Sequence, residues 1–200
     1  MTKKQIVFIH GGMTFKNKKD YLDYLKNKDI KLHKPERWHG KFLDKKLGKN
    51  FDIIRPRMPL ADNAKYEEWK INFERYIPFL KNGVILIGYS LGAIFLAKYL
   101  SENKFFKRIK AVFLVAPPFD NSLPGEDLVG GFKLKSDLSL IMKNCKEINL
   151  FFSTTDDCVP MEHAYKYKQK LPEANFEICK HIKGHFKVSE LPKMVKMIKQ

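Results

Sequence analysis

A five-residue segment near the middle of the chain has the spacing of a turn that exposes a nucleophilic serine. Gly88-Tyr89-Ser90-Leu91-Gly92 matches the pattern G-x-S-x-G. An apolar, strand-like run at 84–87 leads into it, and a helix-like run at 91–100 follows. The glycines remove side chains that would clash where the chain reverses. The pattern predicts that Ser90 is a nucleophile, with the Leu91 N–H facing a developing oxyanion.

The elements that must position this serine alternate along the chain. Apolar runs predict strands at 6–9, 51–55, 84–87, 111–116, 148–152 and 176–179, and helical periodicity predicts helices at 18–28, 64–80, 91–100, 162–170 and 191–198. Asp62 or Asn63 is the expected cap of the second helix. In the basic segment 31–49, one face of an amphipathic helix is expected from four apolar residues: Trp38, Phe42, Leu43 and Leu47.

This alternation predicts an α/β fold, a three-layer α/β/α sandwich with a mostly parallel central sheet, formed by residues 1–200 as a single domain. In such sheets, ligands bind at the carboxyl ends of the strands. The chemically suggestive residues follow predicted strands, so they are expected to meet at that edge.

Four segments together resemble a known family. They are the Ser90 segment, the Arg57-Met58-Pro59 turn before a helix containing Trp69, the stretch 153–160, and Gly184-His185-Phe186. Across nearly the whole chain, the sequence resembles small members of the α/β-hydrolase superfamily, similar to retinoblastoma-binding protein 9 and to bacterial YdeN-like proteins. The resemblance implies a serine hydrolase, usually assayed as a carboxylesterase.

A serine nucleophile needs a general base and an orienting carboxylate, which follow it in the order acid, then histidine, in this superfamily. Three of the six histidines precede Ser90 and so have the wrong order: His10, His33 and His39. His185 lies in a loop beside Gly184 and is the predicted base, with His181 as the alternative.

The predicted acid follows the fifth strand, where Asp156 and Asp157 are adjacent. Family members commonly carry Asp, two residues and then Val-Pro, and this spacing selects Asp156. Asp157 remains an alternative, as does Asp120 after the fourth strand. Cys158 is interpreted as a packing residue.

The resemblance also implies a second oxyanion donor in the turn after the first strand, Ile9-His10-Gly11-Gly12-Met13. Two N–H donors must converge on one oxyanion position. Gly12 is the first choice and Met13 the second, and His10 is expected to brace the loop by hydrogen bonding.

Substrate-lining residues are less sharply indicated. Phe15, Tyr89 and Met58 are expected to line the acyl site, as are apolar residues between the fourth and fifth strands. That segment forms either a small cap within 117–145 or a plain crossover helix with a flanking loop. The basic segment 31–49 could cover the sheet edge or the pocket mouth.

Composition sets limits on class and location. The chain has 200 residues and a formal net charge of +16, but its lysines are dispersed, which favours a solvated surface and makes nucleic acid an improbable partner. Three cysteines without metal-type spacing predict free thiols: Cys145, Cys158 and Cys179. No apolar run is long enough to span a bilayer, and no signal segment is visible, so a cytoplasmic protein is expected.

The expected chemistry needs no metal or organic cofactor.

Three functional hypotheses follow. The favoured one is hydrolysis of a small-molecule ester or thioester through an acyl-enzyme. The second is a protein-interaction module on a hydrolase scaffold with weak or vestigial activity. The third, motivated by charge alone, is a binder of nucleic acid or of an anionic surface. The sequence does not indicate an oligomeric state.

Overall fold

The structure is a computed structural model that describes residues 3–33 and 35–200. Its centre is one six-stranded sheet in the order β2-β1-β3-β4-β5-β6, with every neighbouring pair parallel. The strands are β1 (Lys4–Ile9), β2 (Phe51–Ile54), β3 (Val84–Tyr89), β4 (Ile109–Val115), β5 (Cys145–Thr155) and β6 (Asn175–Lys183). The predicted α/β fold with a parallel sheet is confirmed.

Helices cover both faces of the sheet. They are α1 (Lys18–Asn27), α2 (Leu43–Leu47), α3 (Tyr66–Glu74), α4 (Leu91–Glu102), α5 (Leu140–Asn144), α6 (Glu162–Lys170) and α7 (Pro192–Lys199). Side chains alternate across a strand, so Val84 and Leu86 of β3 face one core while Ile85 and Ile87 face the other. The first core includes residues of α3, α4, α5 and α6, and the second includes residues of α2 and α7.

Two helix predictions were wrong in extent. The segment 64–80 divides into α3 and a 3₁₀ turn, Ile77–Phe79, because Pro78 has no N–H for a helical bond. Asp62 and Asn63 do not cap α3, since they form a separate 3₁₀ turn, and the N-cap of α3 is Lys65.

The basic segment 31–49 is also not one amphipathic helix. A π-helical turn, Trp38–Phe42, directly precedes α2, and the non-helical backbone of Gly40 (φ −95°, ψ −127°) kinks the chain within that turn. The four residues predicted to form one apolar face are nevertheless buried together in the second core: Trp38, Phe42, Leu43 and Leu47.

The segment 117–145 is a loop as far as Ser139, followed by the short helix α5 and the first residue of β5. The alternative of a small cap stays a prediction, and the segment has the short helix and flanking loop that were predicted for a crossover. Its middle crosses over the carboxyl edge of the sheet, where Asp127 forms an isolated antiparallel bridge with Thr14. Among the described residues, no helix is long and apolar enough to cross a membrane.

Candidate active site

Ser90 sits in the turn between β3 and α4 with a backbone that non-glycine residues rarely adopt. Its φ is 54° and its ψ is −120°. A Cβ on Gly88 would lie 2.5 Å from the Gly92 carbonyl oxygen, and one on Gly92 would collide with the carbonyl oxygens of Ile9 and His10. Both glycines are therefore required sterically, and together they permit the turn that lifts the Ser90 side chain to the sheet edge.

Asp156 follows β5 directly and is hydrogen-bonded to His185. The His185 Nδ1 atom lies 3.0 Å from Asp156 Oδ1 and 2.9 Å from Oδ2. Asp156 Oδ1 also accepts the N–H groups of Cys158 and Val159, each at 2.9 Å. Only 1% of the Asp156 side chain is exposed, so this buried carboxylate is held by three N–H donors in a fixed orientation. Nδ1 of His185 is thereby engaged, and Nε2 remains for other partners.

A tight turn after β6 presents His185. Gly184 has a φ of +60°, the Phe186 N–H donates to the Gly184 carbonyl at 2.9 Å, and Phe186 is buried with a φ of +47°. The Tyr89 hydroxyl donates to the His185 carbonyl at 2.6 Å, and the two rings are 5.2 Å apart. The residue before Ser90 thus ties the His185 loop to the serine turn.

No hydrogen bond joins the Ser90 hydroxyl to the His185 imidazole in the described part of the chain. Contacts between nucleophile and base are often long in ligand-free enzymes and tighten when substrate binds. The hydrogen bond from the Tyr89 hydroxyl to the His185 carbonyl keeps both residues at the same edge of the sheet.

The turn after β1 packs directly on the nucleophile. A Cβ on Gly11 would lie 3.2 Å from the Ser90 Cβ, and one on Gly12 would lie 2.6 Å from the Ala61 carbonyl oxygen. His10 braces this turn as expected: its Nδ1 is 2.7 Å from the Gly11 carbonyl oxygen, and the Met58 N–H donates to its Nε2 at 3.1 Å.

The candidate oxyanion donors differ in whether their backbone N–H groups already have a hydrogen-bond acceptor. The Met13 N–H already donates to the Ala61 carbonyl at 2.8 Å, so the choice of Met13 as second donor is corrected. Among the described residues, the N–H group of Gly12, which lies in the turn after β1, has no hydrogen-bond partner. The N–H group of Leu91, the first residue of α4, has no partner outside that helix. Both residues line the small cavity that contains Ser90.

That cavity is narrow and closed by the 119–131 loop. Its volume is about 20 Å³, far below the roughly 300 Å³ of an ordinary small-molecule pocket. Its lining combines apolar side chains with two carboxylates: Pro118, Leu123, Leu128 and Val159, with Glu126 and Asp127. Thr14 fastens the loop, because its hydroxyl donates to the Asp127 carbonyl at 2.5 Å and accepts the Val129 N–H at 2.9 Å.

The three expected substrate-lining residues lie outside this cavity. Met58 is 2% exposed and packs in the first core. Tyr89 packs against the second core and is engaged with His185. Phe15 packs against Tyr21 and Tyr24 of α1. None of the three lines the cavity that contains Ser90, and their part in binding an acyl group stays a prediction.

The alternative acids and the alternative base do not form a pair like that of Asp156 and His185. Asp120 pairs with Lys166 at 2.6 Å, Asp157 is exposed, and His181 is exposed within β6. The fully buried His163 accepts the Phe119 N–H at 2.9 Å and anchors the start of the 119–131 loop.

Sequence analysis missed Glu126 and Thr14, which both line the Ser90 cavity. Glu126 reaches the cavity because the 119–131 loop folds back over the sheet, and Thr14 is the residue to which that loop is hydrogen-bonded. Loop conformation leaves no periodic signal, so only the acidic residue type of Glu126 hinted at a role.

Burial and negative charge dominate the electrostatics around His185. Desolvation raises the pKa of Glu126 and raises that of the Cys158 thiol to about 12, so Cys158 is a protonated thiol at neutral pH. Asp156, Cys158 and His185 offer ligand atoms within 4.8 Å of one another, as a metal would require. The Asp156 carboxylate is already occupied by its N–H donors, which disfavours this use.

The sheet topology, the strained serine turn and the Asp–His pair are those of a hydrolase of the α/β type. The chain belongs to the serine hydrolase family, whose model matches residues 31–199. No curated protein matches the sequence.

Solved structures share the fold at low sequence identity. The ydeN gene product from B. subtilis has 20% identity and a TM-score of 0.77, with 98% of this chain and 97% of that chain covered. A putative YdeN-like hydrolase from Pectobacterium atrosepticum has 18% identity and a TM-score of 0.65, with 98% and 89% covered. The esterase domain of a Rhodothermus marinus protein has 16% identity and a TM-score of 0.58, with 98% and 82% covered.

Proposed function

We propose that this serine hydrolase cleaves a small ester or thioester through an acyl-enzyme on Ser90. Ser90 Oγ attacks the acyl carbonyl while His185 Nε2 takes the hydroxyl proton, and the N–H groups of Leu91 and Gly12 stabilise the oxyanion. The tetrahedral intermediate collapses as the protonated imidazole gives its proton to the departing alcohol or thiol. Water then attacks the acyl-enzyme with His185 again as base, which releases the carboxylic acid and restores Ser90.

One observation carries this proposal: the buried Asp156–His185 hydrogen bond lies at the same sheet edge as a serine with a φ of 54°. The pairing fixes the imidazole tautomer that leaves Nε2 as the proton acceptor. A non-glycine residue in this backbone region is costly, and such strain persists mainly where the surrounding structure enforces it, often at functional sites.

The cavity argues for a small acyl group. About 20 Å³ of free volume beside Ser90 leaves little room for a long chain while the Thr14–Asp127 bridge holds the loop in place. A short acyl group requires the least loop displacement. The esterase name of the Rhodothermus marinus domain is consistent with an oxygen ester as the first substrate to test.

The test is steady-state hydrolysis of p-nitrophenyl acetate, butyrate and octanoate, together with an acetyl thioester. Wild-type protein is expected to prefer the short esters, and Ser90→Ala is expected to lose at least about 10³-fold in kcat/KM, because no acyl-enzyme can form. Ser136→Ala is the matched control, since Ser136 is exposed in the loop before α5 and this variant should leave kcat/KM within about twofold. Equal rates for wild type and Ser90→Ala would overturn the proposal.

A further inference from the structure

A second cavity lies at the opposite edge of the sheet, where β3, β4 and β5 begin. Its volume is about 600 Å³, within the usual range for small-molecule sites. Asn82, Gly83 and residues at the starts of β4 and β5 line it. The carboxyl ends of the strands carry the proposed catalytic residues, so this cavity is separated from Ser90 by the length of the sheet.

Four cationic side chains line this cavity: Arg108, Lys110, Lys143 and Lys146. Within residues 3–33 and 35–200, none of the four side chains forms an ion pair or a hydrogen bond, and no carboxylate lines the cavity. Glu147 and Glu173 line a smaller adjoining cavity with Lys146, but neither is within ion-pair distance of it. The cavity therefore gathers positive charge without an internal counter-charge.

The strand register places two of these cations side by side. Ile109 of β4 pairs with Cys145 of β5, and Ala111 pairs with Glu147, so Lys110 and Lys146 occupy corresponding positions on neighbouring parallel strands. Like charges at adjacent positions of a sheet destabilise it. An anion bound between the two ammonium groups would remove that repulsion.

Two hydrogen bonds hold the main chain at Arg108, whose side chain lines the cavity. The Arg108 N–H donates to Asn82 Oδ1 at 3.0 Å, and the Gly83 N–H donates to the Arg108 carbonyl at 2.7 Å. Met142 and Ile109 add an apolar part to the lining. A guanidinium suits bidentate phosphate binding, and ammonium groups act as point charges for the same anion.

We propose that this cavity binds an organic phosphate that carries at least two negative charges and an apolar or aromatic portion. The cations hold the phosphoryl oxygens, and the apolar portion lies against Met142. A lone phosphate would fill only a small part of 600 Å³, whereas a nucleotide-sized ligand fits the volume. This inference does not depend on the chemistry proposed for Ser90.

The test is isothermal titration calorimetry of the full chain with ATP and, separately, with inorganic pyrophosphate at fixed ionic strength. ATP is expected to bind at one site. The double variant Lys110→Gln/Lys146→Gln is expected to weaken binding of ATP at least about tenfold, because it removes two charge-assisted contacts. Lys18→Gln/Lys19→Gln is the matched control with the same charge change on exposed, unpaired lysines of α1, and it should change affinity less than twofold.

A second readout separates a ligand site from a structural role. Without ligand, the Lys110→Gln/Lys146→Gln variant should melt at the same temperature as wild type or higher, because the repulsion is relieved, while its stabilisation by ATP should be lost. Tighter binding of ATP than of pyrophosphate supports the apolar part of the proposal, and equal binding would overturn that part. Absence of ATP binding, or equal weakening in the α1 control, would overturn the whole proposal.

Discussion

The carboxyl ends and the amino ends of the six strands carry different kinds of residues. At the carboxyl edge, the four non-glycine residues with positive φ among the described residues all follow strands: Leu60, Ser90, Ala116 and Phe186. The buried Asp156 carboxylate there is fully hydrogen-bonded. At the amino edge, the positive φ next to the second cavity belongs to Gly83, and the charges facing that cavity have no partners in the part of the chain that the structure describes.

The carboxyl edge therefore forms a preorganised site, whereas the amino edge forms a charged site whose side chains are not held in place. Strained backbone and satisfied polar groups at the carboxyl edge fix side chains before any substrate arrives, as covalent chemistry requires. A relaxed backbone with unpaired cations at the amino edge provides attraction without fixed geometry, as reversible anion binding requires. Variants that disturb one edge should therefore leave the behaviour of the other unchanged.

The largest expected effect comes from the orienting carboxylate. Asp156→Asn should lower kcat/KM by about 10³–10⁴-fold, because an amide no longer stabilises the imidazolium or fixes its tautomer. Asp157→Asn is the control, since Asp157 is adjacent but exposed and should change kcat/KM less than about fivefold. Ester hydrolysis measured at fixed pH decides between them, and a larger loss in Asp157→Asn would reassign the acid.

The next effect is on folding at the serine turn. Gly88→Ala should lower the free energy of unfolding by about 3 kcal/mol, because the new methyl group would lie 2.5 Å from the Gly92 carbonyl oxygen. Ser136→Ala is the control, since Ser136 is exposed in the loop before α5, and it should stay within about 0.5 kcal/mol of wild type. Urea unfolding measures both, and equal stabilities would show that the turn tolerates a side chain.

A smaller effect concerns pH, through His39, which packs on Phe8 and Tyr89. Burial, with Arg55, Arg37 and His10 nearby, lowers the pKa of His39 to about 4.

The ordinary pKa of His39 is 6.5, so the unfolded state takes up the proton first as pH falls. The contribution of His39 to the free energy of unfolding should therefore be constant above pH 6.5 and decrease by about 1–2 kcal/mol between pH 6.5 and 4, after allowance for partial solvent access. His39→Gln should flatten the pH dependence of unfolding in that window, and an unchanged slope would contradict the assignment.

The smallest effect tests the link between the serine turn and the histidine loop. Tyr89→Phe removes the 2.6 Å hydrogen bond to the His185 carbonyl, worth about 1 kcal/mol. We expect kcat/KM to fall about fivefold with an unchanged pH profile, because His185 is displaced but chemically intact. Tyr165→Phe, on an exposed side chain of α6, is the control and should have no effect. A fall of 10³-fold would instead give Tyr89 a direct chemical role.

The sequence allowed prediction of what periodic patterns and fixed spacings encode. The six strands are apolar and separated by helical segments, so their existence and parallel orientation could be inferred, and G-x-S-x-G located Ser90. The end of α3 and the helical part of segment 31–49 were not predicted correctly. The spacing of apolar residues continues across Pro78 and Gly40, although both residues interrupt the helical backbone.

Parts of the site were outside the reach of pattern reasoning. The Met13 N–H is engaged by Ala61, a contact made by a turn after β2, and the 119–131 loop brings Glu126 to Ser90. The cations of the amino edge are dispersed along the sequence and gather only when β3, β4 and β5 align. Such tertiary proximity has no local signal in the chain.

The most direct measurement is covalent labelling with a fluorophosphonate, followed by peptide mapping in a mass spectrometer. The probe reacts with a serine hydroxyl only where a neighbouring base and oxyanion donors activate it. One adduct on the peptide containing Ser90, absent in Ser90→Ala and strongly slowed in Asp156→Asn, is the predicted result. An adduct on another residue, or equal labelling of wild type and Ser90→Ala, would contradict the account.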